Sequence, residues 1–492
     1  MADRRRGILS GVAAVTIGVI AVTCALVVSL VVPQSVHGSA TLPGQYAALA
    51  GEPGDDPSVE PLPGPPGRKW EVTADSVFGS GSQVGDSAPV LYLIPFDAND
   101  RMIVAAGLPG LGDPAAVIAL DPASGKPLWP GASEFRANGC ALSRDDKLAC
   151  VQTTDDDEKA TEVAFLDAGS GKVTGTASAE FGNGRIDRAG DGFLVTTAVY
   201  QKDDEGRTTK TETLTRFDSA GGKLWSQTLP ADYSHAAVSE AGNVVVAGDD
   251  RTGVRAMTLP TGEILYDSAD DPATKPKDET PSSGVRLGVA ATGTGFAVSV
   301  TDYPRRTLRL FNSYGVQTAE LKDVAVADIW PVATETDLIA VEGEDKSDND
   351  IVGAVSSGQK KLLWSADAYH GHDIELLGGR YVAMQRLADP QGYEWTFFDA
   401  TTGEPGPPIL MSIYQRFDAF DGNRLIFEGD ARRDEPGPPA FTAYDPKTGR
   451  PVWRLKETRS ADEVNVRIVG PYLFVLDARE GPNPVAKMSR FA

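Results

Sequence analysis

Ala119-Leu120-Asp121-Pro122-Ala123-Ser124-Gly125-Lys126-Pro127-Leu128-Trp129 is the stretch that decides the fold: an apolar strand ends in an acid, a turn closes on Gly, and a second short strand carries Trp. The phrase returns far downstream as Ala443-Tyr444-Asp445-Pro446-Lys447-Thr448-Gly449-Arg450-Pro451-Val452-Trp453. Between them stand Phe165-Leu166-Asp167-Ala168-Gly169-Ser170-Gly171-Lys172, Arg216-Phe217-Asp218-Ser219-Ala220-Gly221-Gly222-Lys223-Leu224-Trp225 and Phe397-Phe398-Asp399-Ala400-Thr401-Thr402-Gly403-Glu404. Weaker copies run from Leu259 through Gly262 to Tyr266 and from Ser356 through Gly358 to Trp364. Self-similarity at a period of about 20–50 residues marks a modular array.

Each copy follows apolar strands joined across Gly, Asp and Asn turns, as in Ser239-Glu240-Ala241-Gly242-Asn243 before Val244-Val245-Val246. Short strands, close turns and hardly any helical period argue for an all-β body. Four-stranded units repeating at about 40–50 residues argue for the blades of a propeller, which closes on itself and needs no capping repeat. Residues 466–477 supply two strands of a last blade and residues 485–491 a third. Arg68-Lys69-Trp70-Glu71-Val72-Thr73, which resembles the strand at 450–453, supplies the fourth and removes the free sheet edges. The residues show eight complete units plus this composite one. Because propellers commonly have about 4–8 blades, the reading favours eight, with nine as the alternative.

The D-x-x-[ST]-G-x-x-x-W phrase resembles the repeat of the pyrroloquinoline-quinone-like (PQQ-like) β-propellers, a superfamily of quinoprotein dehydrogenases and of non-enzymatic members such as outer-membrane assembly lipoproteins. The resemblance covers roughly residues 68–492. It implies that the Trp after the Gly turn packs between neighbouring blades, which by matching position points to Trp129, Trp225, Trp364 and Trp453. Quinone chemistry in that superfamily uses a calcium beside the cofactor, a catalytic carboxylate and, in many members, adjacent cysteines. This chain has no vicinal Cys pair and no haem attachment motif, so the resemblance is to the non-enzymatic members and carries fold, not activity.

Outside the repeat, residues 8–32 run without a charge after Arg4-Arg5-Arg6, long enough to cross a hydrocarbon core of about 30 Å. From residue 33 to 67 there is no Lys or Arg, so the positive-inside rule leaves residues 1–7 in the cytoplasm and everything after the span outside it. An uncleaved signal-anchor is expected rather than a cleaved signal peptide, whose apolar region is only about 7–15 residues. Residues 33–67, rich in Pro, Gly and acids, read as an extended stalk, and 68–492 as the propeller domain.

The net charge is −23, which disfavours nucleic acid as a partner by repelling its phosphates. Cys140 and Cys150 flank a hairpin turn at 143–147 and face each other across the ladder. On the oxidising side of a membrane a disulfide is expected there, with the pair slightly wide for the bond. Of the four His, His235, His370 and His372 lie in the body; His370-Gly371-His372-Asp373 is too short a fragment to define a metal site. The acidic runs at 155–158 and 342–350 lack the order of a calcium loop and read as solvated loops. No phosphate loop, nucleophile elbow or zinc-protease motif is present, so no catalytic, cofactor or metal residue is assigned. The expectation is a single-pass membrane protein whose propeller binds an envelope partner, with a quinoprotein-like enzyme or a ligand sensor using the channel as the alternative.

Overall fold

A computed structural model describes most of residues 116–456, with the strands Arg68–Thr73, Val90–Ile94, Met102–Gly107, Glu463–Val469, Tyr472–Arg479 and Val485–Phe491. The expected membrane helix at 8–32 and stalk at 33–67 lie outside the described residues. Among the described residues no helix is long and apolar enough to cross a membrane.

The strands form nine sheets, almost all antiparallel and joined in chain order. Blade 1 holds Val90–Ile94, Met102–Gly107 and Ala116–Leu120; blade 2, Gly139–Leu142, Lys147–Gln152, Ala160–Asp167 and Val173–Phe181; blade 3, Asn183–Ala189, Gly192–Lys202, Thr208–Phe217 and Lys223–Leu229. Blade 4 holds His235–Ser239, Val244–Asp249, Gly253–Thr258 and Ile264–Asp267; blade 5, Arg286–Thr292, Gly295–Asp302, Arg305–Asn312 and Gln317–Lys322; blade 6, Val324–Val326, Leu338–Glu344, Asp350–Ser356 and Trp364–Asp367. Blade 7 holds Asp373–Leu377, Tyr381–Ala388, Gly392–Asp399 and Ile409–Ser412; blade 8, Arg416–Phe420, Leu425–Glu428, Ala440–Tyr444 and Pro451–Lys456. Blade 9 is the composite: Glu463–Val469, Tyr472–Arg479 and Val485–Phe491, closed by Arg68–Thr73. Val90–Ile94 of blade 1 lies against blade 9, which closes the ring. The favoured count of eight is therefore corrected to nine: every repeated hairpin is a blade and none is an insertion. In blade 1 the fourth position is an isolated bridge from Pro127 to Leu120, flanked by hydrogen bonds from Asp121 N–H to the Lys126 carbonyl and from Leu128 N–H to the Ala119 carbonyl, each at 2.9 Å.

Among the described residues the core is divided between neighbouring blades. One apolar cluster joins Val244, Val246 and Val254 of blade 4 to Val289, Phe296 and Val298 of blade 5; others join blades 2 and 3, 3 and 4, 5 and 6, 6 and 7, and 7 and 8. A middle strand is thus apolar on both faces, and Val244–Asp249 is buried throughout. An outer strand alternates, as Gln317–Lys322 does with only Ala319 and Leu321 buried.

The repeated phrase is the device that couples one blade to the next. In the Asp121 turn the Gly125 N–H donates to the Asp121 carbonyl at 2.8 Å, and the Asp121 carboxylate accepts from Ala123 N–H. Gly125, Gly171, Gly262, Gly403 and Gly449 all have φ between +63° and +73°, where a side chain is strained. The glycine also lies flat under the aromatic residue of the preceding blade: a Cβ on Gly171 would stand 2.5 Å from Trp129 Cε3, and one on Gly403 2.5 Å from Trp364 Cγ. The indole N–H then donates to the carbonyl just past the turn's first residue. Trp70 donates to Pro122 at 2.9 Å, Trp129 to Ala168 at 2.8 Å, Trp225 to Leu259 at 2.9 Å and Trp364 to Ala400 at 2.9 Å.

Where the repeat has lost its Trp, the space is filled in other ways. Gly175 takes the Trp position of blade 2, and Phe165, its partner across the ladder, puts its ring under Gly221 instead. Leu265, next to Tyr266, packs on Gly315, and Pro407 packs on Gly449. Tyr266 keeps a polar handle of another kind: its hydroxyl donates to Asp271 at 2.7 Å and Arg309 caps the same carboxylate. Blade 5 has Ala319 at this position, and a Cβ on Gly358 of blade 6 would meet nothing. At blade 9 the turn is absent because the two ends of the domain meet there. Buried Trp453 accordingly has no acceptor for its indole N–H among the described residues.

Candidate functional site

The hairpin between the first and second strands of a blade opens on the same face as the Asp–Gly turns, since Tyr381, which begins a second strand, pairs with Asp399, which ends a third. On this face blades 6–8 enclose an open cleft of about 710 Å³. Gly378 and Gly379, with φ of +52° and +63°, carry the chain through a tight reversal that delivers Arg380 to the rim and Tyr381 to the floor. Arg380 crosses to blade 8, where Nη1 donates to the Gly422 carbonyl at 2.8 Å and to Asn423 Oδ1 at 2.9 Å. Arg424 and Lys447 line the blade 8 side, and Thr336 reaches in from blade 6.

Two carboxylates share the cleft, and both are engaged by their own turns. Asp399 Oδ1 accepts from Thr401 N–H at 3.0 Å, Thr402 N–H at 2.9 Å and the Thr402 hydroxyl at 3.1 Å. Asp445 accepts from Lys447 N–H at 2.8 Å and the Thr448 hydroxyl at 3.0 Å. Burial pushes the Asp399 pKa up, but the Thr402 and Thr401 donors and the Lys447 charge outweigh it and hold the carboxyl below its usual range. Burial, with Asp445 and Asp399 nearby, raises the Tyr381 phenol above its ordinary value, so it stays a neutral O–H donor.

Beside the cleft, residues 331–337 of blade 6 cross the inner edge of blade 5. Val332 and Ala333 pair in parallel with Ala290 and Ala291, and Thr334 N–H donates to the Ala291 carbonyl at 2.9 Å. The Glu335 carboxylate reaches blade 4 and accepts from Glu240 N–H at 2.8 Å and Ala241 N–H at 2.6 Å. A small cavity of about 50 Å³ lies against this strap, lined in part by Asp328, Ile374 and Glu375. Glu375 sits deep in the protein and keeps some accessible surface where it lines that cavity; burial, then the Asp328 and Asp373 charges, push its pKa up to about 8.

The residues singled out in the sequence fall elsewhere. Cys140 and Cys150 are directly opposed and bonded, with an S–S distance of 2.01 Å. Their Cα atoms are 4.0 Å apart, so the pair is not wide as geometry alone suggested: the crosslinked strands are drawn closer than the ~4.5 Å of the narrow antiparallel pairing. Reduction, or a Cys140→Ser/Cys150→Ser double variant, is expected to cost about 2–3 kcal/mol by releasing this short loop, read as a lower thermal midpoint with dithiothreitol than without. Trp129, Trp225 and Trp364 cover the turn of the following blade, Trp453 is buried, and none of the four lines the cleft. His235 begins blade 4, whereas His370, His372 and residues 155–158 are outside the described residues. In the 342–350 run Asp345 turns inward on its own loop, accepting from Ser347 and Asn349 N–H groups at 2.7 and 2.9 Å. Among the described residues no group of His, Cys, Asp or Glu is placed to hold a metal. The cleft residues themselves carried no sequence signal beyond the Gly378-Gly379-Arg380 turn, because five separate chain segments converge there.

Nine sheets joined in a ring, with a polar cleft on the turn face, define the protein as a nine-bladed β-propeller. Residues 97–479 match the conjugation-associated 9-bladed beta-propeller domain, and the chain belongs to that family. Among solved structures the chain is similar to the quinohemoprotein alcohol dehydrogenase from Comamonas testosteroni, at 11% identity over 87% of this chain and 76% of that one, TM-score 0.44. It is also similar to a europium-containing methanol dehydrogenase, at 12% identity over 83% and 93%, TM-score 0.40, and to Saccharomyces cerevisiae Sqt1, at 10% identity over 82% and 96%, TM-score 0.42. No curated protein matches the chain.

Proposed function

We propose that this chain is a non-enzymatic docking propeller of a conjugation apparatus, tethered by residues 8–32, raised on the stalk 33–67 and presented outside the cytoplasm to another envelope protein. The family match carries the reading. The chemistry of the turn face supports contact over catalysis. A general acid or base works best with a pKa near the operating pH. Asp399 is held ionised by its turn and Tyr381 is held protonated, so neither is poised. Glu375 is poised, but its cavity of about 50 Å³ is too small for a substrate. A photo-crosslinking residue placed at Thr401 or Lys447 in conjugating cells is expected to trap an envelope protein, and one at Leu387, on the hairpin at the other end of blade 7, is not. Dye-linked oxidation of an alcohol or sugar by the purified chain with pyrroloquinoline quinone and calcium would overturn the reading.

A further inference from the structure

We infer that the cleft across blades 6–8 binds a neutral oligosaccharide, whose hydroxyls meet Tyr381, Asp399 and Arg380. The inference goes beyond protein docking and does not depend on it. What points to a ligand is the Tyr381 hydroxyl. Tyr381 is only 8% exposed, and its ring is fixed edge-on against Phe420 with centroids 5.9 Å apart and an interplanar angle of 87°. Asp445, Asp399 and Arg380 act on the phenol through charge, and among the described residues no group hydrogen-bonds to it. The hydroxyl is not one of the polar atoms sealed from solvent without a partner, and Tyr381 lines the cleft. A buried phenol usually finds an acceptor, and this one is left for an acceptor in the cleft.

Two neighbours are open in the same way. All three turn donors of Asp399 go to Oδ1, which leaves Oδ2 without a donor among the described residues. Arg380 gives Nη1 to the Gly422 carbonyl and Asn423 Oδ1, which leaves Nε and Nη2. The charges, in contrast, are matched. Lys447 acts on Asp399, Arg380 and Asp445 act on Tyr381 in opposite senses, and Arg424 is engaged on its own account. An anion drawn to Arg380 or Lys447 would meet Asp399 and Asp445, and a cation would meet the reverse, so neither is favoured. A sugar hydroxyl can accept a hydrogen bond from Tyr381 or Arg380 while donating one to Asp399 Oδ2. Bonds of that kind to ionised partners are the stronger ones. Val452 is the one aliphatic side chain of the described lining, which gives an apolar ligand little to hold. An extended peptide is commonly held by a free strand edge, whereas these walls are hairpins and turns with backbone groups bonded within the turn, as Gly403 N–H is to Asp399 and Gly449 N–H to Asp445. The cleft of about 710 Å³ has room for a short oligosaccharide.

Saturation-transfer NMR of the full chain tests this with maltotriose, cellotriose and chitotriose, beside a capped Ser/Asn-rich peptide and citrate. At least one trisaccharide is expected to bind saturably and with little dependence on salt, about threefold or more weaker in Tyr381→Phe and about tenfold or more weaker in Asp399→Asn. Tyr381→Phe removes a hydroxyl with no hydrogen-bond partner among the described residues, so its thermal midpoint stays as in the parent. Asp399→Asn keeps an oxygen for the turn donors while turning the Oδ2 position from acceptor to donor. The inference is overturned if no trisaccharide binds, if the peptide or citrate binds in its place, or if either variant binds the sugar as the parent does. Turn-face crosslinks to a protein without sugar binding would remove this inference and leave the docking function standing; sugar binding without crosslinks would do the reverse.

Discussion

Trp129→Ala should lower stability by about 3–5 kcal/mol, the range for emptying a buried aromatic site. Trp129 is only 3% exposed, its ring covers Gly171, and its indole N–H donates to the Ala168 carbonyl at 2.8 Å. Truncation therefore opens the joint between blades 1 and 2 from inside and leaves a buried carbonyl unpaired. The same joint can be broken from its other side. Gly171→Ala puts a methyl group 2.5 Å from Trp129 Cε3 at a φ of +70°, so a clash and a left-handed backbone penalty of about 1–2 kcal/mol arrive together. A conservative pair separates the hydrogen bond from the packing. Trp129→Phe should cost about 1 kcal/mol more than Trp453→Phe, because the indole N–H of Trp453 has no acceptor among the described residues to lose. Chemical denaturation of the four variants checks the order, and hydrogen exchange at residues 167–171 shows whether the joint opens locally. Equal costs for the two Trp→Phe changes would remove the special status of the ring's seam.

The docking logic explains what could be read from the residues alone. Asp121 and Gly125 are fixed locally, one by its carboxylate on the turn N–H groups and the other by its positive φ, so the phrase survives in the sequence wherever the joint is built that way. The composite blade was legible for the same reason, since Arg68-Lys69-Trp70 repeats the outer-strand pattern and Trp70 indeed covers Gly125. The blade number was less legible because the usual range of propellers argued against a count that the hairpins themselves supported. Phe165 was invisible: its role appears only once Gly175 is known to lie opposite it, which is a fact of register and not of motif. The cleft was hidden more deeply. Thr336, Arg380, Asn423 and Lys447 come from separate hairpins and turns, and no local pattern records that ring closure brings them together. Glu375 reads in the sequence as one more acid in a chain with many; only the fold places Asp328 and Asp373 near it and removes it from water.

That placement gives Glu375 the second large effect. In the unfolded chain its carboxyl ionises near 4.5, whereas in the folded protein burial, Asp328 and Asp373 push it up to about 8. The folded state therefore binds this proton more tightly than the unfolded state. The stabilising contribution is complete below about pH 4.5 and is lost as the pH rises through 8. At about 1.4 kcal/mol per unit, the loss across that window is on the order of 3–5 kcal/mol. Groups shifted the other way act in a separate window. Asp167, held down by the Ser170 hydroxyl, and Asp399, where turn donors outweigh burial, lose their contribution only as the pH falls below the ordinary carboxyl range. Between pH 5 and 8 the four histidines also titrate, so it is the difference in slope between the parent and a Glu375 variant that isolates Glu375. Glu375→Gln keeps the size and hydrogen-bonding capacity of the side chain without its charge, so the variant should be more stable than the parent at pH 8–9 and nearly equal to it at pH 5. Denaturant midpoints across that range measure the difference. Its location predicts where the parent gives way first: ionised Glu375 and Asp328 repel each other beside the strap at 331–337, so hydrogen exchange at Thr334, bonded to Ala291, should quicken with pH beyond its intrinsic rate in the parent and not in Glu375→Gln. Parallel pH profiles for the two proteins would show that the carboxyl is not held protonated by the fold.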